Sequence, residues 1–293
     1  MVGFDSTTRR NAVLMPWFPL KTSHITPHGM NDIVTLINEG SALQILTYFT
    51  FLVTFLGMAA TAFFFAIERS SMPDRYGEAV AVSALIVAIA AGNYYYMQEI
   101  YLSSVIGDVE ATFPTIFRYV DWILTTPLML LKFPLMLGMG PKGRKFLFQL
   151  LTLDVLMIGF AFAGEMLEAE VRLHYGFFGL SVICWGLVIF LIFNALRVLP
   201  PWLKPADRQA VRLMAKFILI GWMIYPLGYL LPSFNVPTES RELLYNVGDL
   251  INKVGLGLVV YGCALRFKRE GDVDDDDEDE YEDADEYAEQ AMA

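Results

Sequence analysis

Residues 242–270 read ELLYNVGDLINKVGLGLVVYGCALRFKRE, an apolar run of helical length that carries Asp249 and Lys253 within it. On a helix these two lie four residues apart, so they stack on one face about 6 Å apart along the axis. A charged side chain at mid-membrane costs at least about 2.5–3.5 kcal/mol, which makes each one a sign of function. A buried ion pair that only neutralises itself is the plain reading, and it gives little net stability over an apolar substitute. The other reading is chemical: burial disfavours the ammonium form of a lysine and keeps its amine nucleophilic, as a Schiff base needs. A protonated Schiff base then needs a negative partner, and Asp249 is placed to be one.

Similar apolar stretches recur at about 41–67, 79–101, 114–137, 146–166, 174–198, 210–232 and 241–267, each near the ~20 residues that cross a bilayer. The chain is 55% hydrophobic with a mean hydropathy of +0.46, too apolar for a soluble domain of 293 residues. The alternating pattern of an outer-membrane barrel is absent, so the predicted fold is all-α, a seven-transmembrane-helix bundle. Lipid is its surrounding partner, and no nucleic-acid partner is expected.

The net charge of -11 belongs to one end of the chain. Thirteen carboxylates and no base lie in residues 271–293, and the remainder holds 21 basic against 19 acidic residues. The expected organisation is an external N-terminal arm over 1–40 with a short helix in MNDIVTLINEG, a seven-helix domain over 41–268, and an acidic disordered tail over 269–293. The arm has no continuous apolar core of the kind a signal peptide carries.

Basic loops at 141–145, 197–209 and 266–270 fall on one side of a seven-span chain, which the positive-inside rule makes cytoplasmic. The opposite connections carry Glu99, Asp108, Glu110, Glu165, Glu168 and Glu170. A multi-pass protein of the cell membrane, with its N-terminus outside and its C-terminus in the cytoplasm, is therefore expected. Cys184 and Cys263 sit in apolar spans as buried free thiols, and no metal site is expected.

The third span, with Arg118, Asp121 and Lys132, is the second charged helix. Arg118, Asp121 and Thr125 face roughly one way at spacings of three and four, and Lys132 lies about 16 Å further along. One charged group therefore stands outside a central carboxylate and one inside it, the order a proton path requires. Snorkelling of Lys132 to the cytoplasmic surface is the plain alternative.

RYVDWILTTPLMLLKFPLMLG at 118–138, FILIGWMIYPLGYLL at 217–231 and RELLYNVGDLINKVGLGL at 241–258 resemble helices three, six and seven of the microbial rhodopsins. The resemblance spans about residues 45–268 and is to the proteorhodopsin branch, the retinal-binding light-driven proton pumps. Asp121, Thr125 and Lys132 match its lysine-donor subgroup, which includes the Exiguobacterium rhodopsin.

The resemblance implies a light-driven ion transporter rather than an enzyme, with all-trans retinal bound covalently to Lys253. Asp121 would be the primary proton acceptor, Asp249 the second counterion, Arg118 the gate to the outside and Lys132 the cytoplasmic donor. Thr125 would hydrogen-bond near Asp121. Trp122, Trp222, Tyr225, Pro226 and Tyr229 match retinal-pocket positions, with Trp185 toward the ring end. Met129, two after Pro127, resembles the green-absorbing type. Asp154 matches a structural carboxyl beside the pocket, and an exit role for Glu165 competes with that of a solvated loop residue. Phe178 stands where carotenoid-binding relatives keep glycine, so no carotenoid antenna is expected.

By the same analogy the protein is a homo-oligomer, a pentamer or hexamer, that transports protons. One departure stands out. Asn93, in GNYYYM, replaces the usual histidine beside the counterion; it is expected to modulate Asp121 by a hydrogen bond without titrating. A sensory photoreceptor and inward proton transport remain alternatives.

Overall fold

The computed structural model describes residues 29–107, 116–140, 143–200 and 203–269, and every regular element among them is helical. Most of the N-terminal arm, Asp108 and Glu110, and the acidic tail from 270 onward lie outside the described residues. The short helix expected in the N-terminal arm is present as α1 (Met30–Glu39), anchored by the buried Leu36. Next comes α2 (Ala42–Glu68), begun by a reciprocal cap in which the Ser41 hydroxyl accepts from the Gln44 amide while the Gln44 side chain accepts from the Ser41 amide.

The bundle continues through α3 (Asp74–Ile106), α4 (Ile116–Met136), α5 (Gly143–Met166) and α6 (Val171–Arg197). The sixth span is divided into α7 (Pro205–Leu219), a 3₁₀ turn (Gly221–Met223), α8 (Ile224–Leu230) and a second 3₁₀ turn (Leu231–Phe234). The last helix is α9 (Thr238–Arg269). Each span packs on its successor, and α9 returns to α2 and α3 to close the ring.

Six spans are long and apolar enough to cross a membrane on length and composition. The seventh, α4, is diluted by Arg118, Asp121 and Lys132 and by Pro127 and Pro134. Its charges are turned inward, since Arg118, Asp121 and Lys132 are all buried. Outward-facing positions such as Phe63, Phe148, Ile183 and Phe190 are large and apolar, the surface that hydrocarbon requires.

Several spans begin earlier than hydropathy predicts, two of them by more than a turn. α3 begins at Asp74 and the sixth span at Pro205, each taking in polar residues that pair inside the bundle. Asp207, read from the sequence as part of a basic loop, is only 1% exposed. It accepts hydrogen bonds from Tyr76 Oη at 2.6 Å, Arg75 at 2.9 Å and Cys263 Sγ at 3.2 Å, which ties α7 to α3 and α9. Cys184 and Cys263 are both free and buried, as expected.

The break in the sixth span has a local cause. The Asn252 side chain donates to the Gly221 carbonyl at 3.0 Å, taking the place of a helical amide there. It approaches so closely that a Cβ at residue 221 would collide with its amide oxygen. Gly221→Ala is expected to lower stability by about 1–3 kcal/mol through overpacking, read as an earlier loss of helical circular dichroism on heating.

Candidate functional site

α9 and α4 place the central cluster. Asp249 and Lys253 stack one turn apart on α9, and Lys253 Nζ donates to Asp249 Oδ2 at 3.1 Å. The same amine also pairs with Asp121 Oδ2 from α4 in a short contact. All three groups are at most 1% exposed. The lysine is therefore not confined to a self-neutralising pair on its own helix; it is shared by two carboxylates from two helices.

The two carboxylates differ in their other partners. Asp249 accepts from Tyr225 Oη at 2.6 Å, from Tyr94 Oη at 2.9 Å and from Trp122 Nε1 at 3.3 Å. Asp121 Oδ1 is buried with no hydrogen-bond partner among the described residues. Thr125 lies beside Asp121 but donates to its backbone carbonyl at 2.9 Å rather than to the carboxylate. The hydroxyl satisfies the carbonyl one turn back, as threonines in helices commonly do.

Asn93 also differs from expectation. Its side-chain amide donates to the Phe117 carbonyl at 2.8 Å, so it ties α3 to the backbone of α4 one turn before Asp121. Its link to the counterion is positional, because the asparagine is spent on a main-chain acceptor. Tyr94, the next residue, reaches the cluster directly.

On the side of the cluster away from Lys132, Arg118 donates to Glu242 Oε2 from Nε at 2.9 Å and from Nη2 at 2.5 Å, to Asn246 Oδ1 at 2.7 Å and to Tyr94 Oη at 3.1 Å. Arg241 continues outward, 3.6 Å from Glu242 and 2.9 Å from Glu165. Glu165 is thus a paired residue with a side chain 17% exposed, not a solvated loop carboxylate. Glu242 is wholly buried and was passed over as the polar start of a helix. Its spacing could have revealed it, since it stands seven residues, two turns, before Asp249 on the same face.

On the opposite side of Asp121, Lys132 is fully buried, and its amine has no hydrogen-bond partner among the described residues. It does not snorkel: the ammonium end stays inside the bundle. Asp154 faces α4 as well, accepting from Thr126 Oγ1 at 2.8 Å.

Next to the cluster lies a cavity walled by Trp122, Trp185, Trp222, Tyr225, Pro226 and Tyr229, all six picked out from the sequence. Tyr119, Met157, Phe178 and Tyr245 complete much of the rest. Met129 is buried in α4 but is not part of this wall, nor is Lys253. Trp122 and Tyr225 wall this cavity and both bond Asp249, the carboxylate that pairs with Lys253. An aromatic cavity beside a buried amine with two carboxylates suits a long apolar group joined to that amine as a cation.

Residues 45–267 match the family model described as bacteriorhodopsin-like protein, and the chain belongs to that family. It is 34% identical over 216 residues to the blue-light absorbing proteorhodopsin of Gamma-proteobacterium Hot 75m4, covering 72% of this chain and 82% of the relative. With the green-light absorbing proteorhodopsin of Gamma-proteobacterium EBAC31A08 it shares 31% identity over 220 residues, 73% and 84% of the two chains. The crystal structure of Exiguobacterium sibiricum rhodopsin superposes with a TM-score of 0.68 at 36% identity, covering 78% of this chain and 98% of that one. The chain is thus a microbial rhodopsin of the proteorhodopsin branch.

Glu242→Gln is expected to destabilise the bundle by about 3–5 kcal/mol, because it leaves the buried Arg118 without its carboxylate. The double variant Arg118→Gln with Glu242→Gln should recover much of that loss. Unfolding titrations of the three proteins in denaturing detergent measure both effects.

Proposed function

We propose that the protein is a light-driven outward proton pump with all-trans retinal bound covalently to Lys253. The bound chromophore supplies a protonated nitrogen whose hold on its proton weakens on absorbing light. The observation that carries the reading is the axial order of buried groups, with Glu242 and Arg118 outside, Asp121 and Asp249 at the centre, and the unpartnered Lys132 inside.

Asp121 is the acceptor in this reading. Hydrogen bonds to a carboxylate favour its charged form, and Asp249 already receives three from Tyr94, Trp122 and Tyr225. Asp121 has an oxygen with no partner, so of the two it is the one ready to take a proton from the Lys253 nitrogen. Asp249 stays ionised as the second counterion. Their titration belongs to the pair, because both share one cation.

Arg118 couples the centre to the exit. Through Tyr94 it senses the charge on the central carboxylates, and through Glu242 and Arg241 it is linked to Glu165 at the external end. Lys132 returns the proton. Its amine is buried with no hydrogen-bond partner among the described residues, and it takes up a proton when the positive charge at Lys253 is gone.

The outward direction rests on topology. Arg144, Lys145, Arg197, Lys204, Arg208, Arg266 and Lys268 cluster around the ends and starts of α5, α6, α7 and α9 that share the Lys132 side, which the positive-inside rule assigns to the cytoplasm. The N-terminus is then extracellular, and the acidic tail cytoplasmic.

Illumination of a lightly buffered suspension of cells making the protein with retinal is expected to acidify the medium, and a protonophore to abolish the change. Alkalinisation would reverse the direction, and no pH change despite a visible band would favour sensing. Lys253→Ala should lose the visible band altogether. In Lys132→Ala, flash photolysis should find the return of the proton to the Lys253 nitrogen slowed by about 10²-fold or more, the usual size of a lost general acid.

A further inference from the structure

A second cavity lies at the external end of the bundle, lined by Glu165, Glu168, His174, Tyr175, Tyr229 and Arg241 among others. Tyr229 lines both this cavity and the aromatic one beside Lys253. His174 stacks on one side of it, with ring centroids 4.8 Å apart and planes inclined by 20°. Phe178 also stacks on it, at 4.8 Å and 17°, and lines the inner cavity.

The imidazole is held by one nitrogen. His174 Nδ1 is 2.9 Å from the Gly164 carbonyl and 3.1 Å from Tyr229 Oη. A carbonyl only accepts, so Nδ1 carries the proton in both charge states and the charge of the ring is decided at Nε2. The packing is specific to glycine at residue 164, where a Cβ would strike the Tyr229 hydroxyl and lie 3.0 Å from the His174 carbonyl. The titratable groups facing the imidazole are Glu165 and Glu168 from α5 and its following turn, Tyr229 from α8, Arg241 from α9, and Tyr175 on its own helix.

We propose that His174 is a wavelength-determining residue, setting the absorption of a chromophore in the aromatic cavity according to external pH through its stack on Tyr229. This rests on the retinal reading above. Excitation of a protonated polyene moves positive charge away from the nitrogen, toward the wall that α5, α6 and α8 supply. A cation on His174 opposes that displacement and moves the absorption to shorter wavelength on acidification. Protonation of the counterion Asp121 acts at the nitrogen end and moves it to longer wavelength, so the two effects differ in sign.

The test is an absorption titration of the retinal-loaded protein from about pH 8 to pH 5, the range over which histidines change charge. It is run in an Asp121→Asn background, which removes the counterion's own titration, with and without His174→Gln or His174→Phe. The phenylalanine keeps the stack, and a visible band in either variant certifies its fold. A unit charge roughly 10 Å from the displaced charge, at an effective dielectric of about 20, predicts a shift to shorter wavelength of only a few nanometres. That shift should be present with His174 and absent from both variants. An unchanged shift in the variants, or none with His174 in place, overturns the proposal. No visible band in the parent protein overturns the retinal reading and this inference with it.

Discussion

Everything at the centre of this bundle depends on one lysine amine held between two carboxylates. Three charges buried together are tolerable in a membrane only because they are paired and hydrogen-bonded at once. Lys253 and Asp249 come from α9, Asp121 from α4, and the donors that stabilise Asp249 come from α3, α4 and α8. The cluster is thus a node where four helices meet. The helices around it are arranged to present polar atoms inward and apolar side chains to lipid.

The asymmetry of that node gives it direction. Three donors fix Asp249, whereas Asp121 keeps an oxygen without a partner. On one side of it arginines and glutamates alternate in a connected chain; on the other, the Lys132 amine has no hydrogen-bond partner among the described residues. A connected run of ion pairs and an isolated amine answer a change of charge at the node differently: linked groups pass it on from one to the next, while a lone amine meets it through the field alone.

Much of this was legible in the sequence, because the charges that the bilayer penalises are few and regularly spaced. Asp121, Lys132, Asp249 and Lys253 stood out against apolar helices, and six aromatic-cavity residues followed from the motifs that accompany them. What escaped lies at helix ends. Glu242 and Asp207 sit where hydropathy falls off and a carboxylate reads as solvated, yet both are buried against an arginine. Contacts made to main-chain atoms were also invisible: Asn93 and Thr125 each donate a side-chain hydrogen bond to an α4 carbonyl, of Phe117 and Asp121 respectively, rather than to the Asp121 carboxylate. Side-chain type limits the possible partners without choosing among them.

The interruption of the sixth span at Gly221–Met223 has a mechanical meaning. A continuous helix transmits a push along its whole length, whereas a short 3₁₀ turn between α7 and α8 lets the two halves act as separate rods. Asn252, the neighbour of Lys253, bonds the joint, and Trp222 within the joint lines the aromatic cavity. A disturbance at the lysine therefore arrives at the fulcrum of the span and not at its tip. The α7 rod can pivot there while the α8 rod, carrying Tyr225 and Tyr229, keeps its register with the site.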